Sequence, residues 1–419
     1  MDLKDIRVNG VRLRQSLEEM AEIGTTPRGG VERLTLTDED RRARDLFVQW
    51  LEELELRITV DEMGNIFGQR KGKDRGLAPV MSGSHMDSQP KGGRFDGVLG
   101  VMGTLEVLRA LNDRDVVTER PVCIVNWTNE EGSRFSPAMV GSGVWSGLLE
   151  RDWVYGRTDR NGKRFKDELE RIGYRGAAPA ALRPVHAYYE CHIEQGPVLE
   201  REGKIIGAPE GILCIHWYDI YLEGEGNQAG PTPMAGRRDA LVAAAEMIVK
   251  VNELPAKMGG NMVATVGEIE NHPNSRNIIP DGVHFTVDIR SWDDGRVASA
   301  WEELYKSFEK ISKNRGCPMR IEDTWKVAHQ PFHPDLVQRV VNTADQLGYP
   351  VLPMRSGAGH DAGYMNQVVP TAMIFVPSIG GRSHVEVENT RWEDCEAGTN
   401  VLLHCILGTA NDGAVEGEP

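Results

Sequence analysis

Residues 122–127, Val-Cys-Ile-Val-Asn-Trp, form an apolar run without the alternation of a half-exposed strand. A strand that does not alternate must be covered on both faces, which an antiparallel surface hairpin cannot provide. Comparable runs occur at 79–84 and 371–376, and helical patterning separates them. The chain is therefore expected to build an α/β domain around a largely parallel sheet, with ligands gathered where the strands end. Two of these strand ends carry side chains that a buried sheet does not need. Glu130 and Glu131 follow the run at 122–127, and His85 and Asp87 follow the run at 79–84.

The organisation changes along the chain. Thr37 is placed to cap a helix reaching about Leu54, and the acidic residues at 38–40 suit its N-terminal dipole. Strands are predicted at 57–61, 65–70, 79–84 and 122–128, with a helix near 97–112. From Leu213 the pattern becomes strand, helix near 237–253, strands near 262–269 and 283–290, helix near 294–312 and strand near 318–326. Val283, Phe285, Val287 and Ile289 alternate with His284, Thr286, Asp288 and Arg290, a half-buried strand. Val297, Trp301, Leu304, Phe308 and Ile311 recur at helical spacing. This β-α-β-β-α-β order is the ferredoxin-like layout. After Val327 the α/β pattern resumes, with strands near 350–354 and 371–376. The 419 residues, too many for one ordinary core, thus divide into a larger discontinuous domain, 1–212 with 328–419, and an inserted domain, 213–327.

Charge and composition exclude several classes. A net charge of −15 and a pI near 5.3 argue against nucleic acid or an anionic membrane as partner. No apolar run approaches the ~20 residues of a membrane span, and "MDLKDIRVNG" lacks an apolar signal core. The cytoplasm is the expected compartment. The six cysteines have no CxxC spacing, so neither a disulfide framework nor a thiolate zinc site is expected. The polar end "NDGAVEGEP" is expected to fray.

The chemistry lies in the histidines and carboxylates. His85 ends a strand, Asp87 stands two residues on, and the turn Gly92-Gly93 lets Asp96 return towards His85. His192 follows an apolar run, and His384 follows the strand ending at Val376. His85, Asp96, Glu131, His192 and His384 make a mixed nitrogen and oxygen donor set for two divalent cations such as zinc, manganese, cobalt or nickel, with Asp96 shared. Asp87 is expected to accept the other ring N–H of His85. Glu130 is left free as a general base. Alone, an HxD triplet or a Glu-Glu pair more commonly belongs to a solvated loop.

The stretches "GSHMDSQPKGGRFDGVLGV", "TNEEGSRF", "HIEQGPVLE", "SRNIIPD" with "DIR", "SGAGHDA" and "RSHVEVE" together resemble the hydantoinase/carbamoylase family of the aminoacylase-like metallopeptidase clan. The resemblance spans residues 80 to 390 in order. It implies a binuclear-metallopeptidase-like catalytic domain with an inserted ferredoxin-like lid and dimerisation domain. It further implies two metal ions, zinc or manganese, with His85, Asp96 and His192 on one and Asp96, Glu131 and His384 on the other, and Glu130 as base. Asn277, Arg290 and the N–H of Gly359 match its clamp for a substrate carboxylate, and Gln195 matches a residue that holds the ureido or amide group. The implied activity is hydrolysis of N-carbamoyl amino acids. Allantoate, β-ureidopropionate and other N-acyl amino acids are alternative substrates, and a silent ligand-binding relative is an alternative of another class. A homodimer formed through the inserted domain is implied as well.

One position departs from the family. Its lid loop commonly carries a histidine two residues before a glycine, supporting the oxyanion in the partner's site. Here the loop reads "GEGNQAGPTPM" and the position is Gln228, which can donate a hydrogen bond but cannot become a cation. A working natural substitute, a mark of a different substrate subgroup and an inactivating replacement are all open at this level. His360 and Asp361 could organise the loop of Gly359. His216, His284, His329, His333, Met234 and Trp145 are read as packing or surface residues, with Trp145 also able to wall the pocket.

Overall fold

The unalternating runs form the centre of a twisted sheet in the computed structural model, which describes residues 3–412. The chain divides into two units, residues 1–211 with 331–419 and residues 212–330. Of the polar end read as frayed, residues 413–419 lie outside the described part.

In the larger unit Val122–Trp127, Val80–His85, Ala187–Ile193 and Thr371–Val376 are neighbours in that order and run parallel. Every residue of these four strands is buried, the burial that their lack of alternation requires. Beyond this centre antiparallel pairs appear. Ile66–Arg70 pairs antiparallel with Val122–Trp127, and Arg57–Val60 extends that margin, also antiparallel. Helices Val98–Asp113 and Trp392–Asn411 pack against each other and against the sheet. Both are buried over most of their length, as helices inside a core are. Since all four central strands point the same way, their C-terminal ends meet at one edge of the sheet, where the turns leading out of them converge.

The smaller unit is an antiparallel sheet in the order Ile269–His272, Gly282–Ser291, Cys214–Glu223, Met319–Val327. With helices Ala240–Met258 and Asp294–Arg315, its chain order is β-α-β-β-α-β. Val283, Phe285, Val287 and Ile289 join the buried cluster with Val297, Leu304 and Phe308, while the alternate residues of the strand stay half-buried. The strand read near 262–269 is two strands, Val263–Thr265 and Ile269–His272. Asp288 faces Thr265 but Phe285 faces Ile269, a one-residue change of register that marks a bulge at residues 266–268. Both helices outrun their expected C-termini. The second ends at Gly316, whose φ of 63° is the left-handed conformation that closes a helix.

A buried ion pair ties helix Asp38–Glu53 of the larger unit to the turn carrying the two glutamates. Thr37 caps Asp38–Glu53 by accepting the Asp40 N–H, but Asp40 does more than complement the dipole. Its carboxylate holds the Arg44 guanidinium at 2.9 Å, with both side chains 1% exposed. Arg44 also donates to the Gly64 carbonyl at 2.7 Å and to Thr128 Oγ1 at 3.2 Å, two residues before Glu130. Removing one partner leaves the other charge buried, so Asp40→Ala is expected to lower unfolding stability by about 3–5 kcal/mol. Glu39→Ala, which breaks only the exposed pair with Arg42, is expected to change it by less than about 0.5 kcal/mol. Urea unfolding of the two variants checks the contrast.

Candidate metal centre

Each central strand delivers its chemistry at its C-terminal end. His85 is the last residue of Val80–His85, and Glu130 and Glu131 follow Val122–Trp127. His192 is next to last in Ala187–Ile193, and His384 lies in the turn after Thr371–Val376. Asp96 is set by the turn before helix Val98–Asp113. That turn passes hard against His85. Gly97 has a φ of +66°, and a Cβ there would fall 2.3 Å from His85 Nε2, so only glycine lets the backbone through.

Two triads of donors share Asp96. The ligating atoms of His85, Asp96 and His192 lie within 4.8 Å of one another, as do those of Asp96, Glu131 and His384. Asp96 divides its oxygens between them. Its Oδ1 is 3.1 Å from His192 Nε2, and its Oδ2 is 3.2 Å from His384 Nε2. Glu131 Oε2 is 3.6 Å from His384 Nε2. Glu130 belongs to neither triad but sits beside the first, its Oε2 3.4 Å from His85 Nε2.

Main-chain carbonyls orient the rings. His85 Nδ1 meets the Asp87 carbonyl at 2.9 Å and His192 Nδ1 meets the Ile193 carbonyl at 2.9 Å, which turns each Nε2 towards the donors. This corrects the expectation for Asp87: its carboxylate is 3.7 Å from His85 Nδ1, and the closer bond comes from its carbonyl. The carboxylate instead accepts the N–H groups of Glu130 and Glu131 at 3.2 and 3.3 Å, fixing the backbone of both glutamates.

The electrostatics are those of a cation site. Among the described residues, the ion-pair partners of Asp96, Glu130 and Glu131 are histidines only. Burial pushes Glu130 well above the usual carboxylate range, and Asp361, Glu131, Asp87 and Asp96 add repulsion. Burial likewise pushes Glu131 up to about 7 and Asp87 up to about 8. Burial lowers His85 to about 4, leaving a neutral ring suited to ligation. For His192 and His384 burial also works downwards, but the facing carboxylates outweigh it and raise them to about 9 and about 10. Protons on these two rings thus occupy the place that divalent cations would take. Three imidazoles and two carboxylates, one of them shared, fit a pair of borderline cations.

The remaining expected residues fall in both units. Gln195, in the larger unit, donates from Nε2 to Asp96 Oδ2 at 3.0 Å, while its Oε1 is buried with no partner among the described residues. Gly359 lies in the turn before helix Asp361–Met365. In the smaller unit Gln228 and Asn277 are neighbours: Asn227–Gln228 pairs with Ile278–Ile279, and the Ala229 N–H reaches the Asn277 carbonyl at 2.9 Å. Arg290 forms a fork on Asp288, with bonds of 2.6 to 3.1 Å.

A third cluster of donor atoms, Glu190, His192 and His360, serves the protein itself. The carboxylate of Glu190 accepts from Ser84, Tyr188 and the Ala362 N–H, and His360 packs edge-on against His192 at 4.5 Å. Trp145 is a core residue, packed against Trp127 and Phe67. Two further residues reach the centre: Gln89, which holds Glu131 Oε2 at 2.7 Å, and Ser383, 3.3 Å from Asp96 Oδ2. Their only signal in the sequence is proximity to a donor.

Ligation requires unprotonated imidazoles. At pH 7 the metal-free protein carries protons on His192 and His384, because both groups sit below their raised values of about 9 and about 10. Binding of zinc is therefore expected to expel protons, and its apparent affinity is expected to rise as pH goes from 6 to 9. Calorimetry in buffers of different ionisation enthalpy measures the release. A pH-independent affinity with no release would show that these rings are not the ligands.

Comparison with known proteins agrees with the arrangement. Residues 81–408 match the model of peptidase family M20/M25/M40. An N-carbamoyl-L-amino-acid amidohydrolase of Rhizobium meliloti is 44% identical over 96% of this chain and 97% of its own. An allantoate amidohydrolase of Escherichia coli is 33% identical over 93% of this chain and 96% of its own. The crystal structure of a hydantoinase/carbamoylase family amidase from Burkholderia vietnamiensis superposes with a TM-score of 0.96 at 48% identity, covering 98% of this chain and 99% of that one. A buried sheet end that gathers paired donor triads, and relatives that share nearly the whole chain, lead to one assignment: this chain belongs to the M20/M25/M40 peptidase family, within its hydantoinase/carbamoylase group of amidases.

Proposed function

We propose that this protein hydrolyses the C–N bond of N-carbamoyl amino acids, using a pair of divalent cations held by His85, Asp96, His192, Glu131 and His384. The observation that carries this reading is the shared Asp96, flanked by two donor triads and by a Glu130 that joins neither. The name of the 44%-identical relative supplies the substrate class. Zinc or manganese suits the donors best, with cobalt or nickel also compatible.

When bound, such cations would lower the pKa of a water and stabilise the negative oxygen that forms on the substrate. The protein's own residues do the rest. Glu130 takes the proton of the attacking water as it adds to the ureido carbonyl, and its burial makes it a stronger base than an exposed glutamate. It then returns that proton to the leaving nitrogen, so that the amino acid departs as its amine. The carbamate left behind decays to carbon dioxide and ammonia. By the family resemblance Asn277, Arg290 and the Gly359 N–H hold the substrate carboxylate, which would take the place of Asp288 on the Arg290 fork. Gln195 holds the ureido group, and Gln228 donates a neutral hydrogen bond to the developing oxyanion. A homodimer through the inserted domain belongs to the same reading and rests on the family resemblance, and the expected cytoplasmic location rests on the composition of the sequence.

The allantoate amidohydrolase relative favours a second substrate class on the same centre, and a panel separates the two. Manganese- or zinc-loaded protein is expected to release ammonia from N-carbamoyl amino acids faster than from allantoate or β-ureidopropionate, and faster than it releases formate from N-formyl amino acids. No turnover of any of them would refute the activity. Glu130→Gln is expected to lower kcat by about 10²–10⁴ with the metal content unchanged, read by elemental analysis of the same sample. Gln228→His is expected to change turnover by less than about tenfold if Gln228 is a working donor. A gain near the ~10²–10³ that a missing oxyanion donor costs would identify glutamine as a disabling replacement.

A further inference from the structure

Glu388 follows His384 by four residues and is 3% exposed. It makes no direct ion pair with the histidines, and the activity proposed above gives it no part. Yet its carboxylate is fully engaged. Oε1 accepts the N–H groups of Phe95 at 3.2 Å and Asp96 at 3.1 Å, and Oε2 accepts the Ser383 hydroxyl at 2.8 Å. One side chain thus joins the turn that carries Asp96 to the turn that carries His384, across nearly 300 residues of chain.

The other half of the centre contains the same device. Asp87 accepts the consecutive N–H groups of Glu130 and Glu131, as Glu388 accepts those of Phe95 and Asp96. In both places a buried carboxylate grips the backbone of a metal-binding carboxylate and leaves that residue's own side chain free. The fit around Glu388 is tight. A Cβ on Gly93 would fall 1.9 Å from Glu388 Oε1 and 2.0 Å from its Cδ, so the second glycine of "KGGRFDG" makes room for this carboxylate. The grip also has something to hold: His384 has a φ of 58°, a left-handed conformation costly for a residue with a side chain.

We propose that Glu388 is a positioning residue for the second cation site, fastening the Asp96 turn to the His384 turn and setting the spacing of the triad Asp96, Glu131 and His384. It acts through backbone N–H groups and Ser383 and touches neither cation nor substrate. This inference rests on the metal-centre reading, so its test begins with titration of the metal-free wild-type protein with cobalt(II) against a chromogenic chelator. Absence of binding there would overturn the metal-centre reading itself.

Given two bound cations in the wild type, Glu388→Ala is expected to keep one near its original affinity. The other should weaken by about 10–100-fold, the usual effect of losing a residue that orients a metal ligand. Glu388→Gln keeps an oxygen for the two N–H groups and is expected to hold both cations within about threefold of wild type. Gly93→Ala displaces the carboxylate from the other side. It should weaken the same site, and in combination with Glu388→Ala it should add nothing further, because both changes break one contact. Gly93→Ala and Glu388→Gln also keep the test open if Glu388→Ala does not fold. Unchanged affinities in Glu388→Ala, equal weakening of both sites, or additive losses in the double variant would each overturn the proposal.

Discussion

Burial of like charge is the constraint from which the rest of the catalytic unit follows. Asp96, Glu130 and Glu131 are each less than a tenth exposed and meet at one end of the sheet, where bringing anions out of water is costly unless cations compensate. Histidine protons do so in the metal-free protein, and the donor geometry allows divalent ions to do so in their place. This explains why the carboxylates are not simply paired with arginine. A guanidinium would satisfy them permanently and leave no exchangeable position for a cation or water. The fully buried arginines nearby are used elsewhere: Arg44 holds Asp40, Gly64 and Thr128, and Arg33 holds main-chain carbonyls at Met86, Met20 and Ile23.

A parallel sheet is well suited to such crowding because it gathers strand ends without using backbone hydrogen bonds there. The cost appears in the turns. Asn129, Gln195 and His384 all take positive φ, at 59°, 61° and 58°, and each stands beside a carboxylate or an imidazole of the centre. Left-handed backbone at a side-chain-bearing residue persists only where its surroundings over-determine it. The clasps by Asp87 and Glu388, together with Gln195, Gln89 and Ser383, supply that determination.

The sequence made the sheet and the donors legible for one reason: both follow from residue type at short range. Unalternating apolar runs announce strands covered on both faces, and histidines or acids just past them stand out because a turn does not need them. What it concealed depends on partners far away in the chain. Asp40 read as a helix-dipole residue because its real counterpart, Arg44, reaches a turn more than 80 residues on. Asp87 was assigned the ring of His85, but geometry gave that bond to its own carbonyl and sent the carboxylate to the glutamates. Gly92-Gly93 read as a flexible turn, whereas Gly93 is required by a carboxylate 295 positions later. The split of the strand near 262–269 rests on a bulge, and a one-residue slip leaves no mark in hydrophobic pattern when the strand is as exposed as this one.

Gln228 shows how local geometry narrows what composition alone leaves open. Its side-chain oxygen accepts the Gly230 N–H within its own loop, and its main-chain oxygen accepts the Thr232 hydroxyl. The acceptor half of the amide is therefore occupied by the loop, and the half left for another partner is the NH₂ group. A glutamine held this way presents a donor, which is the role an oxyanion asks for. It does so at every pH, since the amide does not titrate in water. A histidine at the same place could donate as a cation, and its donation would then depend on its protonation. The exchange keeps the hydrogen bond and gives up the charge.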